Sequence, residues 1–378
     1  MEKTIDECFY KIQNGVNIKQ GDFNSGYPIT RIETIANDKF NRDRMGYAGI
    51  ADLSKYKSYV LEDGDLLMSH INSAQYLGRT VFYEKKEDET IIHGMNLLRL
   101  KARIDIINPE YARYCFYGHL FRSQIAKITK KSVNQASFSV QDLKKIKVNV
   151  PDIELQKQIV EILNKVSEIT SKRQQELDAF DKLIRARFVE MFGDPVRNTK
   201  KWNTEKLHIV APINKYKGNV DVVDGKVWLL NLDMIESYTG NILDISYEHE
   251  NKITSSTIKF DENCVLYSKL RPYLNKVVIP EMRGYATSEL ISMGTEKINK
   301  YFLANLLRQD SFVDFSNSTS YGAKMPRASI GEIKNFNLIM PPRELQNEFA
   351  TFVDQVNKSK LLAASQPQIH IYKTLTLL

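Results

Sequence analysis

The sequence has little of what marks a catalytic centre or a covalently stapled scaffold. Its three cysteines, Cys8, Cys115 and Cys264, are scattered and make no Cys-x-x-Cys pair. That argues against a zinc ribbon and against a disulfide framework, and it fits a reducing cytoplasm. The six histidines form no ligand-spaced pair, so no zinc site is expected. No apolar run approaches the roughly 18 residues of a membrane span, and the start, MEKTIDE, is polar and acidic, unlike a signal peptide. A glycine-rich cofactor loop is missing. So is the Asn/Asp-Pro-Pro-aromatic motif of an adenine methyltransferase, the nearest string being Asp194-Pro195-Val196. Asp152 and Glu154 precede Lys157 at a spacing wrong for a metal-dependent nuclease. They fit better as carboxylates favoured by a helix N-terminus. The expectation is a chain that is not an enzyme and holds no cofactor or metal of its own.

What is present is ordinary globular composition, 42% apolar and 26% charged, in 378 residues, enough for two or three domains with proper cores. The longest helical pattern covers 151–195. Leu155, Ile159, Ile162, Val166 and Ile169 follow steps of 4, 3, 4 and 3, and the stripe resumes at Leu177, Phe180, Ile184, Phe188 and Met191. This 3–4 alternation predicts a coiled-coil-like seam, with a stutter between Ile169 and Leu177. Pro151 suits the start, and Gly193-Asp194-Pro195 the stop. Such a rod would span about 60 Å at ~1.5 Å per residue.

A partner for this helix lies 190 residues later, in PPRELQNEFATFVDQVNKSK at 341–360. Pro151, Glu154, Leu155, Gln156 and Val166 match Pro341, Glu344, Leu345, Gln346 and Val356, and the stripe repeats at Leu345, Phe349, Phe352 and Val356. The Pro-x-x-Glu-Leu-Gln identity is not required by a heptad, so it reads as an internal duplication. Residues 1–150 read as a mixed α/β segment with strands at 28–35, 65–68, 80–83 and 95–100, a helix over 110–127 with Tyr111, Tyr114, Cys115, Leu120 and Ile125 on one face, and a closing strand at 144–150. Residues 196–340 repeat that order: EDGDLLMSHINS (62–73) matches DENCVLYSKLRP (261–272), and MNLLRL (95–100) matches SELISM (288–293). The fold class is α/β (α+β), two repeated mixed domains (1–150 and 196–340) separated by long antiparallel coiled-coil-like helices (151–195 and 341–378). The net charge is +7, yet 151–195 has seven basic against nine acidic residues and 341–378 four against three. The basic excess therefore sits on the globular segments, as nucleic-acid binding would require.

The phrases LEDGDLLMSHINS (61–73), LYSKLRPYLNKV (266–277), DAFDKLIRARFVEMFGDP (178–195) and PPRELQNEFATFVDQVNKSK (341–360), in this order, resemble the specificity (S, HsdS) subunit of Type I restriction–modification systems, to about Lys360. The resemblance implies a prokaryotic host-defence protein with two target recognition domains, each reading half of a split double-stranded DNA sequence. It implies helices that set the spacing and dock two methyltransferase (M) subunits, which use S-adenosylmethionine for DNA methylation, and motor–nuclease (R) subunits that complete the complex. Half-sites read at fixed spacing need a rigid separator, and similar outer faces suit two identical partners. The tail after Lys360, with Pro367, departs from the family and breaks the heptad. A stand-alone or inactive interaction scaffold with a truncated distal helix is the alternative reading.

Base edges are read by Arg, Lys, Asn and Gln, and phosphates by Lys, Arg, Ser, Thr and Tyr. On that basis the candidate contacts in the first domain are Ser69, His70, Asn72, Arg79, Lys130, Lys131, Asn134, Gln135 and Ser137. In the second they are Ser268, Lys269, Arg271, Tyr273, Lys276, Ser320, Tyr321, Lys324 and Arg327. Arg31 of the first domain and Asn231 of the second, each midway in a strand, are expected to face the same cleft.

Overall fold

The computed structural model describes residues 1–18, 25–132 and 135–365. The chain divides into two compact units, one of Met1–Lys172 and one beginning at Arg173, so the division falls inside the central helix. No helix among the described residues is long and apolar enough to cross a membrane.

Each unit is closed by its own ends. Glu2–Thr4 pairs antiparallel with Lys147–Asn149, and Thr204–Lys206 pairs the same way with Asn337–Ile339. In the first unit the strands Phe9–Asn14, Leu97–Ala102, Leu66–Ser69 and Thr80–Phe82 lie side by side in that order, all antiparallel. In the second, Cys264–Ser268 runs between Val277–Val278 and Leu290–Gly294. The three-strand arrangement around Leu66–Ser69 is thus repeated around Cys264–Ser268. The second unit adds a further sheet in the order Ser246–His249, Lys226–Leu230, Gly284–Thr287, Thr257–Phe260. The fold is a duplicated mixed α/β architecture.

Two expected elements differ. The strand over 28–35 is only Pro28–Ile29, because the Arg31 N–H donates to Thr34 Oγ1 at 2.8 Å and turns the chain into the 3-10 segment Ile32–Asp38. The single helix over 110–127 is two, Pro109–Tyr117 and His119–Ile128, interrupted where Gly118 is extended (φ −66°, ψ 152°). Tyr111, Tyr114 and Ile125 are buried as expected, but the break turns Leu120 outward to 50% exposure. The second unit repeats the pair as Lys300–Leu307 and Asp310–Ser318.

The central helix is Ile153–Phe192 and the distal helix Arg343–Ser365. The central one stops at Gly193, whose φ of +75° and crowding against Thr199 Oγ1 leave no room for a Cβ. The duplicated glutamine explains the duplicated hexapeptide. Gln156 is fully buried; its Nε2 donates to the Pro151 and Ile106 carbonyls at 2.8 and 3.0 Å, and its Oε1 accepts from the Asn108 N–H at 2.8 Å. Gln346 donates to the Pro341 carbonyl at 2.9 Å and accepts from the Asn299 N–H at 3.0 Å. Asn108 and Asn299 are themselves the caps of Pro109–Tyr117 and Lys300–Leu307, each accepting two backbone N–H groups. One side chain therefore ties each long helix to the capped start of a domain helix.

This tie sets which face of the central helix is buried. From Gln156, Val160 and Leu163 follow at steps of 4 and 3 and are buried with Tyr111 and Tyr114, and the Tyr114 hydroxyl donates to Asn164 Oδ1 at 2.6 Å. The expected seam is displaced by one position. Leu155, Ile162 and Ile169 are 43%, 61% and 50% exposed, while Ile159 and Val166 are half-buried. In the second unit the expected stripe is inside. Ile184, Phe188 and Phe192 pack with Phe349, Val353 and Val356; Phe180, Met191, Leu345 and Phe352 lie at the margin, and Leu177 is half-buried. The helices run antiparallel there, since Arg187 meets Glu348 at 3.2 Å while Asp181 meets Lys360 at 2.7 Å.

Gln346→Ala would leave the Asn299 N–H and the Pro341 carbonyl buried and unpaired. The expected loss is about 1–3 kcal/mol per orphaned group, read by denaturant unfolding, and an unchanged midpoint would contradict the tie.

Acid should weaken the first unit selectively. Burial pulls His93 down to about 3 and His70 to about 4, below the unfolded value of about 6.5. The native state then binds fewer protons than the unfolded one as pH falls. Stability present above pH 6.5 is lost on acidification by about 2 kcal/mol per histidine down to about pH 5. His208 and His249 of the second unit are exposed. Hydrogen exchange at about pH 5 should therefore show the first unit opening before the second.

Candidate nucleic-acid interface

In the first unit the two candidate loops are brought together by short strand pairing. Ala136–Ser137 pairs with Ile71–Asn72 on one side and with Lys130–Lys131 on the other. Asn72, Lys130, Lys131, Gln135 and Ser137 therefore share one small sheet at the surface, with Lys130, Lys131 and Gln135 exposed. Asn134 lies outside the described residues. Three candidates are not available as readers. Ser69 is fully buried and accepts from Asn72 Nδ2 at 3.3 Å. His70 is buried, its ring edge-on to Phe138 at 6.3 Å. Arg79 is paired with Asp38 at 2.9 Å and stacked 4.6 Å from the Tyr76 ring. Arg31 sits before the 3-10 segment rather than in mid-strand, its guanidinium beside Gly46.

The second unit makes the same juxtaposition. Leu270 bridges Arg327, the Arg271 N–H donates to the Pro326 carbonyl at 2.7 Å, and the Ala328 N–H to the Lys269 carbonyl at 2.8 Å. Tyr321 and Arg327 exchange backbone hydrogen bonds at 3.0 and 2.8 Å. Tyr273 and Tyr321 project at 42% and 63% exposure, beside exposed Lys324 and half-buried Lys269. Here too some candidates turn inward. Ser268 is buried and donates to the Leu270 carbonyl at 2.9 Å. Lys276 donates to the Leu232 carbonyl at 2.6 Å, and burial lowers its pKa. Ser320 donates to the Asn317 carbonyl at 2.7 Å. Arg271 holds a left-handed backbone (φ 49°), and its Nε is buried without a hydrogen-bond partner among the described residues. Asn231 ends Lys226–Leu230 and precedes a 3-10 turn, so it too is not in mid-strand.

Two supporting groups were missed in the sequence. Glu289 grips the Arg327 guanidinium with both oxygens, at 2.9 and 3.2 Å, fixing its direction. In the first unit, fully buried Arg99 meets Asp65 at 2.7 Å and donates to the Val60 carbonyl at 2.8 Å. Burial pushes the Asp65 carboxyl up against the pull of that guanidinium. The signal was an arginine inside the apolar strand Leu97–Ala102.

Residues 1–179 match the family model of the Type I restriction modification DNA specificity domain. The chain is 34% identical over 206 residues to the putative type I restriction enzyme MjaX specificity subunit of Methanocaldococcus jannaschii, covering 54% of this chain and 48% of that protein. It is 27% identical over 122 residues to the type I restriction enzyme EcoDI specificity subunit of Escherichia coli, covering 32% of this chain and 27% of that protein. The match thus spans about half the length of the first relative and about a quarter of the second. Among solved structures, a Type I restriction-modification S subunit from M. genitalium shares the fold at a TM-score of 0.54 and 12% identity, over 100% of this chain and 94% of that one. A chain from work on complex assembly and conformational transition of the type I R-M system gives 0.52 and 13%, over 100% and 95%. The resemblance read from the sequence holds. The matched residues cover the first unit, and the second repeats its three-strand arrangement and its pair of helices.

Arg99→Met in the first unit would strand Asp65 as a buried carboxylate without its counter-charge. The expected cost is about 3–5 kcal/mol, seen as early melting of the first unit, and Asp65→Asn in the same chain should recover part of it.

Proposed function

We propose that this chain is the non-catalytic DNA-specificity subunit of a Type I restriction–modification complex. Each unit reads one half of a bipartite duplex target, and the central and distal helices set the spacing and dock two methyltransferase subunits. S-adenosylmethionine is bound by those subunits, and motor–nuclease subunits complete the restriction complex. The observation that carries this reading is the duplicated loop pair. The same backbone juxtaposition presents Asn72, Lys130, Lys131 and Gln135 on one unit and Lys269, Tyr273, Tyr321, Lys324 and Arg327 on the other. Equal scaffolds with unequal tips suit an asymmetric target read at two places.

The scaffold alternative is favoured by one feature, the exposure of Leu155, Ile162 and Ile169 on a 40-residue central helix whose counterpart has 23 described residues. The deciding experiment is co-purification with the methyltransferase encoded beside this chain, followed by methylome sequencing of a host carrying both. A bipartite adenine-methylation motif that vanishes without this chain is expected, and exchanging residues 1–150 should change one half of it. Association without methylation, or none, would favour the scaffold.

A further inference from the structure

The second unit has a cavity of about 530 Å³ away from the two reading loops, lined by Asn214, Tyr216, Lys217, Thr257, Lys259 and Tyr285 among others. It forms because one face of a sheet is covered. In Thr257–Phe260 and Gly284–Thr287, Ile258, Phe260 and Ala286 face the core around Trp228, so Thr257, Lys259 and Tyr285 face away from it. There they meet the 214–219 segment. The register sets Lys259 opposite Tyr285, with the ammonium 5.7 Å from the ring and 3.3 Å from the Gly218 carbonyl. Gly218 lets the Tyr216 ring lie over it, since a Cβ would fall 2.5 Å from the Tyr216 hydroxyl oxygen.

The chemistry of the lining has one sign. It holds two lysines, two tyrosines, and the hydroxyls of Thr254, Ser255 and Thr257, with no carboxylate. Neither Lys217 nor Lys259 forms an ion pair among the described residues. Two lysines with no carboxylate beside them fit a phosphate, the Tyr216 and Thr257 hydroxyls being already committed to the Asn219 and Thr254 carbonyls at 2.8 Å, while the volume lies in the range of whole small-molecule sites and exceeds what a bare phosphate fills. The rim leads to the reading loops through backbone bonds, the Ser288 N–H to the Ser256 carbonyl at 3.1 Å and the Lys269 N–H to the Glu289 carbonyl at 3.0 Å.

We propose that this cavity binds one nucleotide unit, its phosphate between Lys217 and Lys259 and its sugar or base against the tyrosine rings. The nucleotide belongs to a DNA strand flanking the site read by the 268–276 and 320–327 loops, or is free in solution. Its DNA source rests on the recognition reading above.

The test uses the full chain and the double variant Lys217→Gln/Lys259→Gln, with circular dichroism confirming an unchanged fold. Duplex binding by fluorescence anisotropy is followed over a salt series, with Arg327→Ala as the loop control. Loss of one phosphate contact should make the slope of log K against log salt shallower by about 0.9. In a second arm dAMP is titrated against the melting temperature. A shallower slope in the double variant supports the strand. An unchanged slope with a dAMP-induced rise present only in the wild type supports the free nucleotide. No change in either arm overturns the cavity, and if Arg327→Ala still weakens duplex binding, the recognition reading stands. If the wild type binds no duplex, that reading fails and the dAMP arm alone decides the cavity.

Discussion

A buried glutamine at the start of each long helix is the interaction on which the rest of the structure depends. Gln156 and Gln346 each join a helix to the backbone around an asparagine cap, and each is sealed from water. A buried amide bonded on both sides contributes direction as well as stability, since any rotation of the helix leaves backbone groups unpaired. The buried faces follow from that anchor, Val160 and Leu163 in the first unit and Phe349, Val353 and Val356 in the second.

Around these anchors the two units keep a scaffold and exchange its contents. The buried Asp65–Arg99 pair is replaced at matching positions by Cys264 and Ser292. Both charges are gone together, which avoids the cost of leaving either one alone. At the surface, buried His70 corresponds to half-buried Lys269, and Asn72 to Arg271. The inward serines, Ser69 and Ser268, are the same residue in both and brace the loop they were expected to arm, Ser69 through the Asn72 side chain and Ser268 through the Leu270 carbonyl.

The candidate site was legible as loops and less so as residues. The match of 62–73 with 261–272 located the paired loops, and strand pairing brought them to their partners at 130–139 and 320–327. Polarity alone did not distinguish Lys131, which projects, from Lys276, whose ammonium is spent on a carbonyl. Both are lysines in polar loops, and only the fold determines which finds an acceptor inside.

By itself the sequence determined the duplication, the mixed α/β class, the start and stop of the central helix, the start of the distal one, and the family resemblance. These follow from local periodicity, punctuation by proline and glycine, and a repeated hexapeptide. Tertiary structure alone decided the facing of Leu155, Ile162 and Ile169, the break at Gly118, the grip of Glu289 on Arg327, and the cavity walled by Lys259 and Tyr285. A 3–4 repeat marks a stripe to within one residue. Which neighbour of that stripe is buried depends on a hydrogen bond to residues some fifty positions away, Asn108 for Gln156 and Asn299 for Gln346.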